Sequence, residues 1–224
     1  MTLLDYPKKI ACTVFLSGCN FRCPFCHNIE LAKEKTDAGP ISEDQFFSFL
    51  GDREGILDGV AITGGEPLLN DGIEAFLRRI KEHGFLIKLD TNGSNPQTLE
   101  KCIKAGLVDY IAMDIKSSPG RYSGACGVPY VPLDTIKDSI RIIMDSGREY
   151  EFRTTVVDEL HDEHEIEQIG RMIRGARSYY LQSFVNSPEV PCKGFHSPTR
   201  RKLVAFQKIA MRYVDRAMIR GGLD

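Results

Sequence analysis

Phe15-Leu-Ser-Gly-Cys-Asn-Phe-Arg-Cys-Pro-Phe-Cys-His-Asn28 is the stretch from which the rest of the chain is read. It places Cys19, Cys23 and Cys26 in the spacing C-x3-C-x2-C, directly after the apolar run from Cys12 to Leu16. Three thiolates on one short loop can wrap a soft metal centre, and a [4Fe–4S] cube suits them. Three protein ligands would leave one iron of the cube open to a further ligand. A Cys3His zinc site that recruits His27 is the alternative. Structural zinc, however, pairs its ligands from two separated knuckles, and no second knuckle follows. Cysteines placed only for packing would be scattered rather than gathered in eight residues.

Outward from this loop the pattern is regular. Residues 11–17 read as a first strand that stops at Gly18. Ser42-Glu-Asp-Gln45 is a capping-box pattern opening a helix with Phe46, Phe49 and Leu50 on its apolar side. A second strand, Gly59–Thr63, runs into Gly64-Gly-Glu-Pro67, and Ile73, Phe76, Leu77 and Ile80 mark a helix closed by Gly84. Phe85–Leu89 is a third strand ending on Asp90-Thr-Asn-Gly93, with Asn95 and Pro96 opening the next helix. Tyr110–Ile115, Glu151–Val157 and Tyr179–Val185 read as further strands, separated by helices over Ile136–Met144 and Ile166–Ile173. A last helix is expected from Leu203 to Ala217.

Strands alternating with helices imply parallel βα units in one sheet, either an open doubly wound sheet or a barrel. The 224 residues, 42% apolar and 27% charged, are ample for one globular domain. The net charge of −2 is spread without blocks, which points away from nucleic acid and anionic membranes. No apolar run approaches the roughly 20 residues of a membrane span. The start lacks a signal-peptide pattern, and an odd count of seven cysteines favours reduced thiols, so a cytoplasmic location is expected.

In parallel α/β folds, ligands lie at the carboxyl ends of the strands, and the polar motifs of this chain fall at those ends. Gly64 and Gly65 lack β-carbons and so let a ligand approach the backbone, with Glu66 placed to accept from an amino group. Asp90 and Asn92 are either turn formers or ligand contacts. Lys116 follows Asp114 just past the fourth strand. Arg153 interrupts an apolar strand, either paired at the mouth or pointing outwards. Cys12, Cys102, Cys126 and Cys192 have no C-x-x-C partner and read as inert. His161 and His164 read as a polar helix start rather than a metal site.

The loop Gly18–Asn28 resembles that of the radical S-adenosylmethionine (SAM) enzymes, with Phe25 before the last cysteine. Cys-Pro-Phe-Cys-His-Asn28, with Leu4-Asp-Tyr-Pro7 upstream, is similar to the activating proteins of anaerobic ribonucleotide reductase, within the glycyl-radical-enzyme activases. The resemblance implies one radical SAM domain over 1–224 with its cluster loop at 18–28, folded as a partial (β/α)6 barrel open on one side. It implies a [4Fe–4S] cluster on Cys19, Cys23 and Cys26, and SAM held by Phe25, Gly64, Gly65, Glu66, Asp90, Thr91, Asn92, Asp114, Lys116 and Arg153. In relatives a monovalent cation sits against the SAM carboxylate, which maps onto Asp90, Thr91, Asp114 and the carbonyl of Ala112. The implied partners are a glycyl radical enzyme, anaerobic ribonucleotide reductase, and an electron donor such as flavodoxin or ferredoxin. Gln182 stands where formate-lyase activases have a histidine contacting SAM. A compact SAM enzyme for a small molecule, of the carboxy-deazaguanine synthase kind, and a non-enzymatic zinc or cluster protein are the rival readings.

Overall fold

A computed structural model describes residues 1–34 and 39–221. In chain order it contains β1 (Ala11–Leu16), α1 (Ile29–Ala32), α2 (Glu43–Gly51), β2 (Gly59–Gly64), α3 (Ile73–Glu82), β3 (Leu86–Thr91) and α4 (Pro96–Lys104). These are followed by β4 (Tyr110–Asp114), α5 (Tyr122–Ala125), α6 (Leu133–Asp145), β5 (Glu149–Val156), α7 (Glu163–Met172), β6 (Tyr179–Ser183), α8 (Arg200–Ala210) and β7 (Ala217–Arg220). The expected caps are present. Ser42 and Gln45 form the capping box of α2, and Asn95 accepts from Thr98 N at α4. Among the described residues no helix is long and apolar enough to cross a membrane.

All strand pairs are parallel, and the sheet order is β1-β2-β3-β4-β5-β6-β7. A doubly wound sheet needs a point where the strand order reverses, and there is none. Right-handed crossovers in one direction put every helix on one face and curl the other face inward. This order decides for the barrel, left open between the edge strands β1 and β7. The six expected strands are present, but the last helix stops at Ala210 and Ala217 begins a seventh strand paired with β6. The helical spacing of Tyr213 and Ala217 is a coincidence. Tyr213 lies in the turn after α8 and packs over Gly170, while Ala217 and Ile219 alternate with Met218 and Arg220 along a strand.

The two faces of the sheet differ. Ile87, Leu89, Ile111, Met113 and Phe152 point to the helices and are fully buried. The alternate residues Lys88, Asp90, Ala112, Asp114, Glu151 and Arg153 share the concave face, because strand side chains alternate and paired residues point the same way. That face is charged, not apolar. At the amino ends of the strands Tyr6 closes it, with its ring 5.9 Å from that of Tyr110. Tyr110 Oη donates to Glu151 Oε2 (2.9 Å), and Arg220 Nη1 donates to Glu151 Oε1 (3.0 Å). The carboxyl ends remain open.

Candidate active site

The loop after β1 lies against the turn after β2. Gly65 N donates to Leu16 O and Glu66 N to Gly18 O, each at 2.8 Å. A β-carbon on Gly64 would stand 2.2 Å from Leu16 O, and one on Gly65 would stand 2.0 Å from Gly18 O. Gly64 also has φ +117°, where only glycine is at ease. The pair lines the cleft, yet what forbids side chains here is the close approach of backbone from the end of β1 and the start of the cysteine loop.

Glu66 is fully buried. Its Oε1 accepts from Thr91 Oγ1 (2.7 Å) and Leu68 N (3.2 Å), and its Oε2 from Asn92 N (2.6 Å). Both carboxylate oxygens thus tie β2's turn to the end of β3, instead of standing free for a ligand's amino group. Burial pushes its carboxyl up to about 7, against the pull of these donors. Thr91 is turned the same way, with its hydroxyl on Glu66 and not beside Asp90.

Cys19, Cys23 and Cys26 carry free thiols that line one cleft, open to solvent. Phe21, Phe25, Asn92, Asp90, Asp114, Lys116 and Arg153 share its wall. Phe21 N points at Cys19 Sγ (3.4 Å), and Asn92 Nδ2 at the same sulfur (3.8 Å) and at Asn20 Oδ1 (3.0 Å). Burial raises the Cys19 and Cys26 thiols, and the charge of Lys116 pulls both back down. Cys23 is pulled down, chiefly by the neighbouring thiol of Cys126, against its burial. Cys126, read from the sequence as inert, is fully buried at the end of α5, and its carbonyl accepts from Arg22 N (2.8 Å).

Below the thiols lies an ionic network. Arg153 Nε donates to Asp114 Oδ1 (2.5 Å) and its Nη2 to Asp90 Oδ2 (3.0 Å). Lys116 Nζ holds Asp114 Oδ2 (2.8 Å), and Lys88 pairs with Asp90 Oδ1. Thr63 Oγ1 adds a bond to Asp90 Oδ2 (3.2 Å). Burial alone would raise the Asp114 carboxyl, but the charges of Arg153 and Lys116 hold it well below the usual carboxylate range. Arg153 therefore pairs inside the mouth. Lys88 and Thr63 escaped the sequence reading, although Lys88 stands two residues before Asp90 and so on its face. His161, just before α7, is buried and contacts the Lys116 carbonyl through Nε2 (3.2 Å), while His164 is exposed. Gln182 lies on β6 beside Thr155 and Arg220, and of these three only Thr155 lines the cleft.

Residues 13–173 match the Radical SAM superfamily. The chain belongs to that superfamily. A Methanocaldococcus jannaschii protein named as a glycyl-radical enzyme activating enzyme is 33% identical over 234 residues, covering 98% of this chain and 92% of its own length. The pyruvate formate-lyase-activating enzyme of Streptococcus mutans is 31% identical over 167 residues, 68% of this chain and 61% of that protein. The solved structure of Streptococcus suis SuiB bound to S-adenosylmethionine shares the fold, with TM-score 0.71 at 14% identity over 95% of this chain and 50% of SuiB. The chain is a radical SAM enzyme of the glycyl-radical-enzyme activase family, which uses a [4Fe–4S] cluster and SAM.

The residues fit those cofactors. Among the described residues, only Asp162, His164 and Glu165 bring three donor atoms within 4.8 Å of one another. The three thiols stand wider than that, whereas one tetrahedral zinc with bonds of about 2.3 Å would gather them closer. His27 Nε2 is engaged with the Val185 carbonyl (2.6 Å), and its ring packs 5.5 Å from Phe184. The set suits a multi-iron cluster better than Cys3His zinc.

Proposed function

We propose that this activase installs a glycyl radical on an anaerobic ribonucleotide reductase, with a flavodoxin or ferredoxin as electron donor. The observation that carries a polypeptide substrate is the open side of the barrel. Phe15 is on the concave face of edge strand β1, paired with Thr63, four residues before Cys19, and is 52% exposed. Val185, past the end of β6, is 63% exposed and held to the cysteine loop through His27. Apolar side chains beside an open cleft suit an inserted protein loop, and a glycine there brings no side chain of its own. Cys-Pro-Phe-Cys-His-Asn28 and Leu4-Asp-Tyr-Pro7 support the reductase as partner.

Cys19, Cys23 and Cys26 would hold the cluster. When bound, it supplies the single electron that cleaves SAM to methionine and a 5′-deoxyadenosyl radical, which takes a hydrogen atom from the glycine Cα. Phe21 N and Asn92 Nδ2 donate towards Cys19 sulfur and favour its thiolate form. Lys116 and Arg153 bring positive charge to the cleft floor and orient the SAM carboxylate. Phe21 and Phe25 give the cleft wall an apolar face. The test is EPR on the reconstituted chain with SAM, a reductant and its cognate anaerobic reductase. A glycine-centred doublet on the reductase supports the reading. SAM cleavage without a protein radical would turn it towards a small-molecule substrate.

A further inference from the structure

Asp90 and Asp114 are the residues onto which a monovalent cation would map, yet each of their four carboxylate oxygens already faces a cation of the chain. Asp90 takes Lys88 on Oδ1 and Arg153 on Oδ2, with Thr63 as a neutral donor. Asp114 takes Arg153 on Oδ1 and Lys116 on Oδ2. The other two expected ligands are also engaged. The Thr91 hydroxyl donates to Glu66. Ala112 is paired within the sheet to Asp90 on one side and Glu151 on the other, so its carbonyl belongs to the ladder. Arg153 and Asp114 are direct partners across β4 and β5, which makes this contact a consequence of register.

We infer that Arg153 is the built-in counter-cation of this site, so that SAM binds without a monovalent metal ion. Two carboxylates against Lys88, Arg153 and Lys116 leave one positive charge in excess at the cleft floor. A carboxylate ligand meets that charge directly. An entering sodium or potassium ion would have to displace the guanidinium from both partners and leave it buried and unpaired, which is strongly unfavourable. The planar fork of arginine spans two carboxylates in a way a lysine ammonium does not. Arg153 thus acts as a positioning residue for Asp90 and Asp114. The inference rests on membership of the radical SAM family and is independent of the partner protein.

The test is SAM affinity of the cluster-loaded chain by equilibrium dialysis in sodium, potassium and tetramethylammonium chloride at equal ionic strength. Affinities within threefold across the three salts are expected. A wild-type loss of more than threefold in tetramethylammonium overturns the inference, whatever becomes of any variant. Arg153→Met is expected to bind SAM at least tenfold more weakly in tetramethylammonium and to regain affinity in sodium or potassium, because the vacated carboxylates then take the ion. Arg153→Lys keeps the charge but not the two-carboxylate fork, so its loss in tetramethylammonium should fall between those of the wild type and Arg153→Met. An Arg153→Met protein that binds SAM like the wild type in all three salts also overturns the inference.

Discussion

Gly65→Ala separates two reasons for a glycine at this position. If Gly65 serves a ligand's approach, the variant folds normally and binds SAM poorly. The structure says otherwise, since the new methyl would stand 2.0 Å from Gly18 O, 2.7 Å from Gly18 C and 3.2 Å from Cys19 Cβ. The first two neighbours are backbone, so no rotamer change relieves the clash. Overpacking of this kind costs about 1–3 kcal/mol. Separating the strands to relieve it weakens the Glu66 N to Gly18 O hydrogen bond, a further ~1 kcal/mol. The sum is about 2–4 kcal/mol, expressed without any cofactor. In urea, with a slope of ~2 kcal/mol per molar, the midpoint of the cluster-free protein should fall by about 1–2 M. Iron uptake should fall as well, because Cys19 Cβ moves with Gly18. A midpoint within ~0.2 M of wild type, together with weakened SAM binding, would refute the reasoning.

Three further outcomes follow from the same geometry. Cys19→Ala, Cys23→Ala and Cys26→Ala should each abolish assembly of a cluster of about four irons on anaerobic reconstitution, whereas Cys12→Ala, Cys102→Ala and Cys192→Ser should retain it; stoichiometric zinc without iron uptake would contradict the assignment. Cys126→Ala should keep the iron but slow alkylation of Cys23 in the cluster-free protein near neutral pH, because the neighbouring thiol that lowers Cys23 is lost; an unchanged rate argues against that influence. Glu66, raised from 4.5 to about 7, holds a proton in the folded state that the unfolded chain has lost, so its contribution is complete below pH 4.5 and disappears as pH rises to about 7. Glu66→Gln should remove that slope, worth ~3 kcal/mol over the interval, and equal slopes of stability against pH in both proteins would show that Glu66 is ionised throughout.

Local patterns in the chain determined the βα alternation, the caps at Ser42 and Asn95, and the gathering of motifs at strand ends, because each depends on periodicity or turn chemistry within a few residues. The three cysteines were equally legible as a candidate cluster loop, since C-x3-C-x2-C is a local arrangement. Strand order was not, because it is a relation between segments far apart. Only the order β1 to β7 decides for the open barrel, and only its β6 contact shows that Ala217–Arg220 is a strand. Site roles divided in the same way. Which face of β3 carries Lys88 and Asp90 follows from alternation, but that Arg153 stands opposite Asp114 follows from register across β4 and β5. The approach of Gly18 to Gly65 and the burial of Glu66 come from how two loops pack. The sequence alone determined which groups were available for chemistry, and the tertiary structure decided which of them pair with each other, because long-range packing consumes hydrogen-bond partners that no local pattern records.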